Sequence, residues 1–186
     1  MHRTPLTIIL ILSAVMLQSC TRWTFPNHAN LTAVPDPSVL NGAYSNLSLD
    51  TSESNNTLWT VLTKKPGPHG YKPGISNQQS FVLLTAKDSR HLIVELYNNS
   101  VLSSRKILKG RVEDNYFRPK KRTRYFGLPF IYMSLSHYQL RLGKDFSGKL
   151  LVDVADGHGG MVFILAGGDT NEFSFPYQSA PSPITH

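Results

Sequence analysis

The sequence predicts a mainly β protein: a single antiparallel meander, closed as a barrel or packed as a sandwich, with one short N-terminal helix. Three observations carry that expectation. From Ser80 onward, apolar runs recur at even spacing with polar turns between them, as in an up-and-down all-β chain. Within His91 to Tyr97 the residues alternate strictly, Leu92, Val94 and Leu96 against Ile93, Glu95 and Tyr97. Charged residues make up only 17% of the chain. Asn, Ser, Thr and Gly supply much of the polarity instead, a mix that suits strands and turns better than charged helices.

The elements follow in order. The domain starts near Leu40, where Asn41-Gly42-Ala43-Tyr44-Ser45-Asn46 reads as a turn entering a short strand. Asp50-Thr51-Ser52-Glu53 has capping-box spacing, and Leu58, Trp59, Val61 and Leu62 follow at helical spacing. A helix over 53–63 results. Lys64-Lys65 suits the negative end of its dipole, and Pro66-Gly67-Pro68 stops it. Residues 66–78 form a Gly- and Pro-rich loop. Strands are then expected at Phe81–Ala86, His91–Tyr97, Val101–Val112, from Tyr116-Phe117, and at Ile131–Leu142, Leu150–Val154, Met161–Leu165 and Glu172–Tyr177. In the long run from Ile131 the apolar phase slips at Ser136-His137, between Met133/Leu135 and Tyr138/Leu140/Leu142. A β-bulge there would restore one buried face.

Ahead of the domain lies a targeting segment. His2 and Arg3 give a basic start, and Leu6 to Leu17 is apolar apart from Thr7 and Ser13. That run is too short for a transmembrane helix, which needs about 20 apolar residues, and fits a signal-peptide core. It ends in Leu17-Gln18-Ser19-Cys20, and Cys20 is the only cysteine. This string resembles the lipobox of bacterial lipoproteins. The resemblance implies a cleaved signal peptide over 1–19, acyl chains on Cys20, and a lipidated flexible tether over 20–39, where Pro26, Pro35 and Pro37 break any periodicity. Two or more acyl chains hold a protein stably on a membrane where one does so only marginally. No acidic run follows Cys20, which leans the expected location toward the outer membrane, facing the periplasm of the cell envelope. The β-rich domain then spans 40–178 and a flexible C-terminal tail 179–186.

The charge balance is +7 and becomes +6 without Arg3. It favours anionic neighbours such as lipid headgroups or acidic glycans. Export argues against nucleic acid as a partner. With Cys20 acylated no thiol remains, which excludes cysteine nucleophiles, thiolate metal sites and disulfides. No His-Glu-x-x-His, Gly-x-Ser-x-Gly or phosphate-loop string occurs. No cofactor, metal or catalytic residue is expected.

Leu40-Asn41-Gly42-Ala43-Tyr44, Leu58-Trp59-Thr60-Val61-Leu62-Thr63, Leu140-Arg141-Leu142 and Gly159-Gly160-Met161-Val162-Phe163 resemble strings in small lipoproteins of Bacteroidota-type bacteria. The similarity spans most of 40–178. It implies a lipocalin-like layout, with Gly42-Ala43-Tyr44 standing where lipocalins carry Gly-x-Trp, and brings no known activity.

The foremost candidate contact surface is the basic aromatic segment that contains Arg118, Lys120, Lys121, Arg122, Arg124, Tyr125 and Phe126. Interleaved cations and aromatic rings suit a lip against headgroups or an anionic glycan. A solvated hairpin kept soluble by its charges fits the same pattern. Asp153, Asp156 and His158 have side chains able to bind a metal or move protons. Yet Asp156-Gly157-His158-Gly159-Gly160 has the composition of a turn between two strands. Three functional classes follow: a non-catalytic binding module for an apolar, amphipathic or anionic envelope ligand, a structural subunit docking on another envelope protein, and, less favoured, a hydrolase. The expected partners are the membrane, through Cys20, and a lipid, glycan or envelope protein.

Overall fold

A computed structural model describes residues 25–49, 57–65, 80–128, 131–162 and 165–181. The protein is mainly β, with nine strands in one antiparallel sheet. They are β1 (Gly42–Ser45), β2 (Ser80–Asp88), β3 (His91–Asn98), β4 (Val101–Glu113), β5 (Tyr116–Pro119), β6 (Arg122–Leu128), β7 (Tyr132–Lys144), β8 (Leu150–Val162) and β9 (Leu165–Tyr177). A 3-10 turn, Pro37–Leu40, precedes β1, and one helix, α1 (Leu58–Thr63), lies between β1 and β2. The strand order is β1-β2-β3-β4-β5-β7-β8-β9, with β6 paired to β7. β1 and β9 share no ladder. The chain just past β9 still reaches β1, through an isolated bridge between Tyr44 and Ser179. Ser45 N–H donates to Gln178 O at 2.8 Å and Ala180 N–H to Ala43 O at 2.8 Å. The start of the segment expected as a free tail is therefore tied to the sheet.

Connections alternate between two ends, as a meander requires. The β2–β3, β4–β5 and β7–β8 turns share one end, which is polar: Asp88, Glu113, Asp114 and Asp145 lie there. The β3–β4, β6–β7 and β8–β9 connections share the other. Two of the turns are two-residue hairpins with positive φ at both central positions, Asn99/Ser100 and Asp114/Asn115. Asn and Asp tolerate that geometry, and its twist matches the flanking strands.

One face of the sheet buries a continuous core. Tyr44, Leu84, Leu92, Val94, Phe117, Leu142, Val152 and Tyr177 are essentially inaccessible, and Leu58, Val61 and Leu62 of α1 pack among them. A side-chain period of two places alternate residues of β7 and β8 here: Leu140 opposite Val154, Leu142 opposite Val152. Thr57 caps α1, its hydroxyl accepting from Thr60 N–H at 3.3 Å. The Asp50/Glu53 capping box lies outside the described residues, as do the 66–78 loop and the segment containing Cys20.

Three local expectations are corrected. β8 runs unbroken through Asp156-Gly157-His158-Gly159-Gly160, which pair in register with Tyr138 to Ser134 and with Asn171 to Gly167. Strand pairing on both edges overrides the turn composition. β7 has no bulge at Ser136-His137 and holds one register from Tyr132 to Lys144. The phase slip instead marks where β7 leaves the core: Tyr138, Leu140 and Leu142 point inward, whereas Met133 and Leu135 lie on the opposite face of a projecting arm. Finally, Arg122–Leu128 is a strand, β6, that the sequence reading left unassigned.

Candidate functional site

The arm is the part of β6, β7, β8 and β9 that extends past the core. Tyr132 lies between Leu128 on β6 and Val162 on β8, and Phe126 meets Tyr132 edge-on at 6.4 Å. All four are exposed, Leu128 at 66% and Phe126 at 63%. Tyr125 is exposed at 70% on the other face, with Ile131 exposed beside the β6–β7 connection. Val101 and Leu102, beside the β3–β4 turn, stand exposed at the same end of the meander. Eight of the twelve exposed large apolar side chains among the described residues thus gather at one end. The connections at this end, 98–102, 128–132 and 162–168, contain no carboxylate, and Asp169 lies further in on β9, opposite His158. Runs such as Leu128-Pro129-Phe130-Ile131-Tyr132 signal it: apolar residues occupy a connection where polar ones are usual.

The seven residues of the basic aromatic segment do not form one surface. Arg118 lies at the polar end, on β5. Its guanidinium donates to Glu113 Oε2 at 3.3 Å and Asp114 Oδ2 at 2.7 Å, which balances its charge. Lys120 and Lys121 are exposed where β5 gives way to β6. Arg122 turns inward and donates to Lys64 O at 2.5 Å and Leu62 O at 2.8 Å. Lys106 donates to Thr63 O at 3.2 Å. These two cations satisfy carbonyls that the end of a short helix leaves open. Burial lowers the pKa of both Arg122 and Lys106. Only Arg124, Tyr125 and Phe126 continue onto the arm, where Leu128, Ile131, Tyr132 and Val162 join them.

A second cluster lies across the sheet's outer face. Arg141, Asp153 and Ser174 are direct neighbours on β7, β8 and β9. Asp153, fully buried, accepts from Arg141 Nε at 2.6 Å, Ser174 Oγ at 2.6 Å and His28 Nε2 at 2.9 Å. The Arg141 guanidinium is flanked by the rings of Tyr116, 4.0 Å away, and Phe25, 4.7 Å away, and also donates to Pro26 O. Serine, histidine and aspartate meet here, but not as a proton relay. In such a relay one imidazole nitrogen faces the carboxylate and the other the hydroxyl. Here the same Nε2 approaches both, at 2.9 Å and 3.3 Å, and the hydroxyl also donates to the carboxylate. The cluster is a clamp on the segment before β1. Thr32 N–H donates to Lys144 O at 2.8 Å, Leu31 bridges Asp145, and Val34 is buried. From Phe25 onward the expected tether is therefore packed against the sheet. His28, Arg141 and Ser174 carried no sequence signal because their meeting depends on register and on contacts over 100 residues apart.

Asp156 and His158 face the inner side of the arm. Asp156 pairs with Lys64 at 2.5 Å, and His158 lies 3.5 Å from Asp156 and 3.1 Å from Ser136 Oγ. His137, on the opposite face, has its pKa lowered mainly by burial. Among the described residues no group of three His, Cys, Asp or Glu side chains is arranged to hold a metal ion. No described helix is long and apolar enough to cross a membrane.

Comparison with protein families, curated proteins and solved structures found no match.

Proposed function

We propose that this chain is an envelope lipoprotein, held by acyl chains on Cys20, whose β-domain is a non-catalytic binding module with its contact surface on the arm. The observation that carries the reading is the collection of exposed apolar side chains at one end, with Arg124 beside them. Exposed apolar patches of this kind mark contact sites. The ligand class that fits is amphipathic or anionic, since rings and aliphatic side chains offer apolar contact and the neighbouring cation offers charge. The core side of the sheet is packed by its own side chains and α1, so the reading assigns binding to the exposed end of the arm and not to a barrel interior.

A photoreactive amino acid at Leu128 in the exported full chain tests the reading, with Phe146, exposed at the polar end, as control. Adducts with an envelope component at Leu128 and not at Phe146 support it. Equal labelling at both sites sinks it. The anchor has its own test, since Cys20→Ala should move the protein out of the membrane fraction. A second reading, docking on another envelope protein, draws on β6, whose ladder among the described residues is with β7 alone. An open strand edge can accept a partner strand, and protein adducts at Leu128 would favour that reading.

A further inference from the structure

We infer that the partner of the arm is the interfacial layer of the same bilayer that holds Cys20. The inference rests on the anchored binding-module reading and adds the identity of the ligand. Its first support is distance. Phe25 is the fifth residue after Cys20, and five extended residues span at most ~18 Å. Phe25 stacks on Arg141, the guanidinium that joins the buried clamp with Asp153. The leash therefore ends in the Arg141 row on the sheet's outer face, three residues from the Lys144 end of β7, and not at a free terminus. From the Arg141 row to Tyr132, β7 runs nine residues further, about 30 Å at strand spacing. The arm is longer than the leash, so tilting the domain brings its end to the surface without stretching the chain.

The second support is chemistry. Tyr125 and Tyr132 each offer an apolar ring and a polar hydroxyl, the combination favoured at the headgroup level. Phe126, Leu128 and Val162 supply apolar contact beside Tyr132, with Tyr125 on the other face of the arm. Arg124 suits anionic headgroups, and the connections at this end carry no carboxylate, Asp169 lying further in, opposite His158. The opposite end gathers Asp88, Glu113, Asp114 and Asp145 at its turns. The domain is thus polarised along its strands, with the end suited to lipid opposite the end suited to water. The third support is mass action. A short leash keeps the arm at a high effective concentration over the bilayer, so a contact too weak to capture a free protein is still occupied.

The test uses the full, acylated chain. With Cys20 blocked by its lipid, Leu128→Cys provides a unique thiol for an environment-sensitive fluorophore, and Phe146→Cys provides the control. The protein is reconstituted into vesicles of phosphatidylethanolamine and phosphatidylglycerol containing a spin-labelled lipid. The inference expects the Leu128 label to be quenched several-fold more by the lipid, and several-fold less by iodide in the water, than the Phe146 label. Equal iodide quenching at both positions overturns it while leaving the anchor intact. A Leu128 label shielded from both quenchers also overturns it, by revealing a protein occupant. The mass of the N-terminal peptide reports the anchor independently. If Cys20 carries no acyl chain, the anchoring reading falls, and this inference falls with it.

Discussion

Replacing Asp153 by alanine should be among the most damaging single changes in the domain. Its carboxylate is fully buried and receives three donors, with Arg141 Nε at 2.6 Å, Ser174 Oγ at 2.6 Å and His28 Nε2 at 2.9 Å. Removing it leaves the Arg141 guanidinium, only 8% exposed, without its counter-charge. Breaking a buried pair from one side costs about 3–5 kcal/mol. That is a large share of a typical stability of roughly 5–15 kcal/mol. At about 2–4 °C per kcal/mol for a chain of this size, Tm should fall by roughly 6–20 °C. Urea unfolding of the full chain, with Cys20→Ala to keep it free of lipid, gives the measurement through tryptophan fluorescence. The midpoint should drop with little change in slope. The double change Arg141→Met with Asp153→Leu should cost less than Asp153→Ala alone, because it leaves no orphaned charge. A loss below about 1 kcal/mol for Asp153→Ala, the range of an exposed pair, would refute the reasoning. So would a double variant as unstable as the sum of its single changes.

Three further outcomes follow from the same geometry. Arg122→Ala should cost about 1.5–3 kcal/mol, since it removes two charged hydrogen bonds from the end of α1, whereas Arg124→Ala on the exposed arm should stay within about 0.5 kcal/mol; urea midpoints of the two variants decide. Burial pushes the Tyr44 hydroxyl up to about 12 from an ordinary 10, so its contribution is complete below pH 10 and is lost as pH rises toward 12. Stability should fall over that window by up to about 3 kcal/mol, and Tyr44→Phe should flatten the fall in a pH series of urea titrations. Gly110→Ala would place a Cβ 2.4 Å from Arg118 O and 2.8 Å from Phe117 Cζ; forcing that backbone apart should cost about 1–3 kcal/mol, read as a lower Tm.

Strand after strand was legible in the sequence because period-two alternation is a local signal. Leu92 and Val94 on β3 do point into the core together. Polar pairs such as Asn99-Ser100 and Asp114-Asn115 marked their hairpins for an equally local reason, tolerance of positive φ. β6 escaped notice because Arg122–Leu128 mixes cations, aromatic rings and a glycine with no buried face, and only pairing with β7 makes it a strand. Asp156 to Gly160 misled in the opposite direction. Their composition suits a turn, but neighbours on both sides hold them in the sheet. The basic aromatic segment was visible as chemistry and invisible as geometry. Nothing in the order of its residues says that Arg122 turns in to α1 while Tyr125 and Phe126 stay in solvent. The His28–Asp153–Arg141–Ser174 clamp lay further out of reach, since it joins residues from both termini of the chain.

The bridge between Tyr44 and Ser179 joins the two ends of the strand order with two backbone hydrogen bonds, and Leu49 N–H adds one to Pro176 O. Each is worth about 1 kcal/mol net, so this seam should open long before the rest of the sheet unfolds, and amide exchange at Ser45 and Ala180 should outpace that at the centre of β8. A chain ending at Tyr177 would lose the bonds to Gln178 and Ala180 and leave the four residues of β1 with a bare edge. Such an edge invites the β1 edge of a second molecule. The short stretch from Gln178 to Ala180 thus covers the edge of β1.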